Sequence, residues 1–171
     1  MARSLLELGY SVAISSHNKA NVIRVLQELK PAYGAKIWGA VCAVEDYRAV
    51  QELWNMAKAY FGYIDVWINN ACIGCKPCNT WEIDPNTMYD VINTNVTGTM
   101  NGVNVAVSGM LQQGGGRIYN MDGPRQEDKG HCLYDSTKVA IRHITKMLAS
   151  ELKGKPVSAG VLRPGKLPVF V

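Results

Sequence analysis

Short apolar runs alternate along this chain with longer segments in which apolar residues recur every three or four positions. An unbroken run is typical of a buried strand, whereas the three- and four-residue recurrence is typical of a helix with one buried side. The pattern predicts strands at 10–15, 36–43, 64–69, 117–121 and 157–162, and helices at 2–8, 18–29, 46–60, 86–111 and 133–152. Pro31 is expected to end the helix before it, because proline has no N–H to continue the helix. This alternation predicts an α/β fold, a doubly wound parallel sheet covered by helices on both faces.

The last predicted helix carries a tyrosine and a lysine four residues apart, Tyr134 and Lys138. At this spacing both side chains lie on one helix face, about one turn apart. A nearby ammonium favours the phenolate, so we expect Lys138 to lower the pKa of Tyr134 from about 10. Such a tyrosine is suited to general acid/base work on a carbonyl or alcohol oxygen. Taken alone, the pair is better explained by a half-buried tyrosine and a solvated lysine, so the assignment depends on the motifs around it.

Four motifs occur in a fixed order along the chain. They are Asn69-Asn70-Ala71 after the third strand, Asn95-Val96-Thr97-Gly98 in the next helix, Tyr134 with Lys138, and Pro164-Gly165 after the last strand. In these motifs the chain resembles the short-chain dehydrogenase/reductase family over essentially its whole length. The segment Asn120-Met121-Asp122-Gly123 is also similar to the corresponding segment of the chlorophyll b reductase subgroup. The resemblance implies a Rossmann-like fold and hydride transfer between a nicotinamide cofactor and a carbonyl or alcohol.

The same resemblance assigns roles to individual residues. Tyr134 would be the acid/base, Lys138 would hold the ribose hydroxyls, and Asn95 would hold a water for proton relay. The cofactor-binding residues that it implies are Asn70, Ala71, Ser16, His17, Lys138, Pro164 and Gly165. The segment 15–18 contains no acid to bind a ribose 2′-hydroxyl, and Lys19 follows it. We therefore expect NADP as the cofactor, with NAD as the alternative; an ordinary surface position explains His17 equally well.

The chain also departs from the family pattern. The strand and glycine-rich turn that open such a domain are not among these residues, so the strands at 10–15 and 64–69 either lack a partner or pair directly in a smaller sheet. Asp122-Gly123 stands where the family has the serine that bonds the substrate carbonyl, and losing one such donor costs about 10²–10³ in rate. Two functions stay open: an NADP-dependent oxidoreductase with a truncated sequence, and a catalytically inactive fragment that acts as a structural or interaction module.

Composition narrows the class of protein and its partners. With 171 residues, 47% of them hydrophobic, we expect one partial Rossmann-like domain over 1–171. A net charge of +4 that is scattered over helix faces gives no cluster for nucleic acid. No apolar run reaches the roughly 20 residues needed to span a bilayer. We expect a cytoplasmic protein, with an organelle such as the plastid as the alternative, that acts on a small-molecule carbonyl or alcohol and forms a homo-oligomer when full length.

Three of the five cysteines, Cys72, Cys75 and Cys78, form a C-x-x-C-x-x-C pattern. This spacing opens a bacterial ferredoxin cluster site, but Glu82 replaces the cysteine that would follow. A loop beside the nicotinamide explains the same segment, with Cys72 where the family prefers glycine. We therefore expect reduced thiols and no metal.

Overall fold

The structure, a computed structural model, describes residues 1–123 and 129–163. The chain divides into two compact units, Met1–Ile64 and Asp65–Val171. The first contains α1 (Ala2–Glu7), β1 (Val12–Ser16), α2 (Lys19–Tyr33), β2 (Ile37–Val41) and α3 (Tyr47–Phe61). The second contains β3 (Val66–Asn69), α4 (Pro85–Ile92), α5 (Gly98–Gln113), β4 (Gly116–Met121), α6 (Cys132–Glu151) and β5 (Val157–Leu162). The predicted α/β class, with parallel sheets and helices between the strands, is confirmed.

In the first unit, β1 and β2 form a parallel pair. Leu6 from α1, Leu29 from α2 and Ile37 from β2 are buried together and form the core of this unit. Helix α2 starts directly after β1 because Asn18 caps it, accepting the N–H of Ala20 on its side-chain oxygen at 2.8 Å.

Helix α2 continues past Pro31 to Tyr33, so the expected end of this helix before the proline is wrong. The φ of proline fits a helix, and its missing donor removes one backbone hydrogen bond close to the end of α2. The helix ends instead at Gly34, which has a φ of +53° and whose N–H bonds to the carbonyl of Lys30. Glycine adopts a positive φ without the steric cost that other residues bear.

In the second unit, β3, β4 and β5 form a parallel sheet in that order, with Asn69 opposite Asn120 and Asn120 opposite Val161. The carboxyl ends of these strands meet at one edge, where open α/β sheets bind their ligands. The direct pairing of 10–15 with 64–69 that the sequence left open does not occur in the described strands, since β1 pairs with β2 and β3 with β4.

A chain of side-chain hydrogen bonds ties β3 to β4 and α6. Trp67 Nε1 donates to Asn69 Oδ1 at 2.8 Å, and Asn69 Nδ2 donates to Asn120 Oδ1 at 2.8 Å. Asn120 Nδ2 in turn donates to Thr145 Oγ1 at 2.9 Å. Gly102 on α5 permits this arrangement, because a Cβ at that position would overlap Asn69 Oδ1. These paired amides link β3, β4 and α6 through side chains.

The helix predicted at 86–111 is present but interrupted. Helix α4 ends at Ile92, a π-helical turn spans Asn93–Thr97, and α5 begins at Gly98. A π turn adds one residue to the helical repeat and is frequent at functional sites. Here it carries Asn95, whose exposed fraction is 0%.

Helix length bears on the predicted absence of a membrane span. Helix α6 has 20 residues and includes charged positions such as Arg142 and Lys146. Within residues 1–123 and 129–163, no helix combines the length and the apolar character needed to cross a bilayer.

Candidate active site

Tyr134 and Lys138 lie on successive turns of α6, next to the residues that follow β4. Lys138 Nζ lies 5.3 Å from the centre of the Tyr134 ring and donates to the Met121 carbonyl at 3.2 Å. Lys138 is only 2% exposed, and among residues 1–123 and 129–163 the structure describes no carboxylate paired with it, which is unusual for a buried lysine. An ammonium has three donors, so the bond to Met121 occupies one of them. The structure thus brings the two predicted side chains together at the carboxyl edge of the sheet.

The hydroxyl of Tyr134 faces the thiol of Cys72 and the backbone of Gly123. Cys72 Sγ lies 4.0 Å from Tyr134 Oη. A Cβ built on Gly123 would lie 2.9 Å from the same oxygen. Gly123, rather than Asp122, is therefore the residue opposite the tyrosine hydroxyl, and a serine at this position would force Tyr134 to shift.

The surroundings of Tyr134 favour the neutral phenol. Burial, together with the nearby Cys72, Asp135 and Asp122, raises the pKa of Tyr134 to about 12. The expectation that Lys138 lowers this pKa is wrong for the structure. The main reason is burial, which removes the hydration that a phenolate needs, and the nearby thiol and carboxylates add to it.

Asn95 joins the loop after β3 to α6. Its Oδ1 accepts the N–H of Ile73 at 2.8 Å, and its Nδ2 donates to the Ile73 carbonyl at 2.9 Å and to Thr137 Oγ1 at 3.1 Å. Thr137 Oγ1 donates to the carbonyl of Tyr134 at 2.7 Å, and the carbonyl of Asn95 accepts the Thr99 hydroxyl at 2.6 Å. Both N–H groups of the Asn95 amide are therefore used within the protein, and its expected role in holding a water stays a prediction.

Asp122 is the residue at this edge whose role sequence reasoning missed. Its side chain is 0% exposed and pairs with Arg142 at 2.9 Å and with Arg163 at 3.0 Å. Burial alone would raise the pKa of Asp122, but hydrogen bonds from Arg163, from the Gly123 N–H and from Arg142 outweigh it and lower the pKa below its usual value. The signal in the sequence was that Arg142 follows Lys138 by one helical turn. A buried carboxylate requires cations, so this arginine was a candidate partner for Asp122.

The loop after β3 begins with two of the predicted cofactor-binding residues, Asn70 and Ala71, and both are exposed. Further along, the N–H of Cys78 donates to the carbonyl of Gly130 at 3.2 Å, which links this loop to the start of α6. The structure shows five free cysteines: Cys42, Cys72, Cys75, Cys78 and Cys132. In the part of the chain that the structure describes, no three or more His, Cys, Asp or Glu side chains are grouped to hold a metal ion.

The remaining predicted cofactor-binding residues lie elsewhere in the chain. Ser16 and His17 belong to the first unit, at the carboxyl end of β1. There Ser16 Oγ accepts the N–H of Asn18 at 3.2 Å. Pro164 and Gly165 lie outside the described residues.

Comparison with known sequences identifies relatives along the whole chain. Residues 1–169 match the family profile described as short chain dehydrogenase. "Chlorophyll(ide) b reductase NOL, chloroplastic" of Arabidopsis thaliana is 34% identical over 175 residues, covering 96% of this chain and 50% of the relative. A 3alpha-hydroxysteroid dehydrogenase of Mediterraneibacter gnavus is 30% identical over 169 residues, covering 96% of this chain and 67% of the relative. The chain spans about half the length of the plant reductases that it matches.

Solved structures show the same architecture. "ElxO with NADP Bound" superposes with a TM-score of 0.87 at 28% identity, covering 96% of this chain and 66% of that one. A short-chain dehydrogenase/reductase from Burkholderia phymatum in complex with NAD superposes with a TM-score of 0.87 at 26% identity, covering 97% and 62%. The predicted family, including the similarity to chlorophyll b reductases, is confirmed. The chain belongs to the short-chain dehydrogenase family.

Proposed function

We propose that this protein is an NADP-dependent oxidoreductase that transfers a hydride between NADPH and a carbonyl or alcohol substrate, with Tyr134 as the acid/base. The observation that carries the proposal is the tyrosine hydroxyl one helical turn from the buried ammonium of Lys138, at the carboxyl edge of a parallel sheet. The alternative of a catalytically inactive interaction module finds no support in the relatives, which are described as reductases and dehydrogenases.

The donor set at this edge fits a nicotinamide dinucleotide. Lys138 has ammonium donors beyond the one used on Met121, and they suit ribose hydroxyls. The residues proposed to bind the cofactor are Asn70, Ala71, Ser16, His17, Lys138, Pro164 and Gly165. The end of β1 offers no carboxylate to a ribose 2′-hydroxyl, which favours NADP, and NAD is the alternative. NADPH would supply the hydride when bound.

The residues of this chain would handle the proton. A pKa of about 12 keeps Tyr134 protonated near neutral pH, so its hydroxyl would donate to the substrate oxygen during carbonyl reduction. Lys138 would hold the ribose hydroxyls of the cofactor. Asn95 would organise the proton relay, and its bonds to Ile73 hold the loop after β3 at a fixed place beside the tyrosine.

The substrate class follows from the acid/base chemistry and from the names of the relatives. Two plant relatives, at 34% and 32% identity, are named chlorophyll(ide) b reductase, chloroplastic, and these names favour a small-molecule carbonyl substrate. The cytoplasm is the proposed location, with the plastid as the alternative that these names support. A single domain over 1–171, assembled into a homo-oligomer in the complete protein, is part of the same proposal.

The test is a pair of tyrosine variants in the complete polypeptide that the gene encodes. Tyr134→Phe removes only the hydroxyl, and we expect NADPH-dependent turnover of aldehydes and ketones to fall by about 10²–10⁴, the usual contribution of a general acid/base. The matched control is Tyr89→Phe, because Tyr89 lies on α4 and is 66% exposed. Turnover that is equal in the two variants refutes the assignment of Tyr134.

A further inference from the structure

We propose that Asp122 is a positioning residue of the acid/base site. Its buried carboxylate, held by Arg142 and Arg163, would set the register of α6 against the end of β4, and with it the places of Tyr134 and Lys138. The inference rests on the proposed function of Tyr134 and Lys138. Asp122-Gly123 stands where the family pattern has serine, so the general family pattern does not assign a role to this carboxylate.

Three consecutive residues, Met121–Gly123, contact three successive turns of α6. The carbonyl of the first accepts Lys138 Nζ at 3.2 Å. The carboxylate of the second accepts Arg142 Nη1 at 2.9 Å. The third packs against Tyr134, since a Cβ on this glycine would lie 2.9 Å from Tyr134 Oη. The row formed by Tyr134, Lys138 and Arg142 is therefore aligned with the end of β4 at each turn.

The carboxylate is the most directional of these contacts. Oδ1 of Asp122 accepts Arg142 Nη1 and the N–H of Gly123, each at 2.9 Å. Oδ2 accepts Arg163 Nη2 at 3.0 Å and Nε at 3.2 Å, a two-bond pairing that fixes orientation as well as distance. A buried carboxylate must keep such partners because the unpaired charge is costly. The Met121 carbonyl, in contrast, accepts one bond from Lys138, and Gly123 makes only a packing contact with Tyr134.

Asp122 also connects the ends of β4 and β5, through its backbone and its side chain. The N–H of Asp122 donates to the carbonyl of Leu162 at 2.8 Å, which extends the β4–β5 pairing beyond β4. Arg163 is the next residue after Leu162, so Asp122 holds β5 both through the backbone and through a side chain. A misplacement of about 1 Å at a reacting group costs about 10²-fold in rate, so losing this connection should reduce turnover even in a folded protein.

The test separates positioning from stability with two variants of one helix in the complete polypeptide. Arg142→Met removes the link between α6 and Asp122 but leaves Asp122 paired with Arg163. Thr145→Val is the matched control, because it breaks the bond between Asn120 and Thr145, which joins the same strand and helix one turn further on. Both variants are assayed at a temperature where circular dichroism shows them folded, and backbone hydrogen exchange is measured by mass spectrometry on the peptide 132–142.

We expect Arg142→Met to lower kcat by about tenfold or more with little change in KM, and to raise exchange in 132–142 by a similar factor, whereas Thr145→Val changes neither. Asp122→Asn should show the same pattern more strongly. Equal effects of Arg142→Met and Thr145→Val on kcat and on exchange would overturn the inference. If no variant, including the parent, shows turnover, the exchange difference alone decides the positioning role, and only the proposed function fails.

Discussion

Replacing Asn95 by alanine removes a buried amide that serves three partners at once. The change deletes its bonds to the Ile73 N–H, to the Ile73 carbonyl and to Thr137 Oγ1. A net contribution of about 0.5–1.5 kcal/mol for each bond gives a loss of about 2–4 kcal/mol in the free energy of unfolding. For a chain of this size each kcal/mol corresponds to a fall of about 2–4 °C in Tm. The loop after β3 should also become mobile, because its attachment to the π turn is lost.

The assay is urea unfolding followed by tryptophan fluorescence, with hydrogen exchange of the peptide 70–78 as a local measure. Asn93→Ala is the matched control, since Asn93 is the same residue type in the same π turn and the structure describes no side-chain hydrogen bond for it. We expect the control to lose less than about 0.5 kcal/mol, the range usual for substitutions away from such features. A loss for Asn95→Ala that equals the loss for Asn93→Ala would show that the three bonds of the Asn95 amide do not stabilise the fold.

Three further predictions concern charge and packing. The pKa of Asp122 is lowered in the fold, so its contribution to stability should be complete above about pH 4, the unfolded value, and be lost as pH falls through the folded pKa. Urea midpoints measured between pH 7 and pH 2.5 test this, and Asp122→Asn should flatten the pH profile. The pKa of Tyr134 is raised to about 12, so its contribution to stability should be complete below about pH 10 and be lost as pH rises towards 12. Ultraviolet difference titration should show one tyrosine that ionises at higher pH than the others, and Tyr134→Phe should remove it. Gly102→Ala should lower the free energy of unfolding by about 1–3 kcal/mol, because its Cβ would overlap Asn69 Oδ1. Gly160→Ala should lower it less, because its Cβ would meet the Tyr119 ring at 3.3 Å. Equal losses would show that Asn69 does not require a glycine at position 102.

The fold was predictable because the spacing of apolar residues within each strand and helix indicates which side of it is buried. The stripe that includes Leu133, Ile141 and Leu148 predicted α6, and these residues are buried in the structure. The helix end at Pro31 was placed wrongly, because one missing N–H donor near a helix end costs little. The helix ends three residues later, where Gly34 adopts a positive φ. Local pattern therefore finds an element more reliably than it finds its boundary.

The π turn at Asn95 was not predictable from periodicity. Apolar spacing on either side of 93–97 fits a continuous helix, and the insertion becomes apparent only when the Asn95 amide is seen bound to Ile73, 22 residues earlier in the chain. In the candidate site, too, local contacts were predictable and distant contacts were not. The Tyr134 and Lys138 pairing is local and was found, whereas the arginines that hold Asp122 lie 20 and 41 residues away from it. Burial also decided that the pKa of Tyr134 is raised and not lowered. The sequence alone does not show how deeply this one side chain is buried.

Transfer of a labelled hydride from NADPH to a carbonyl carbon measures the proposed reaction itself. The complete polypeptide is incubated with a carbonyl substrate and NADPH that carries deuterium at the transferred position, and the alcohol product is analysed by mass spectrometry. We expect one deuterium on the former carbonyl carbon, with label transfer reduced by about 10²–10⁴ in Tyr134→Phe and retained in Tyr89→Phe. Label transfer that persists unchanged in Tyr134→Phe would rule out Tyr134 as the acid/base.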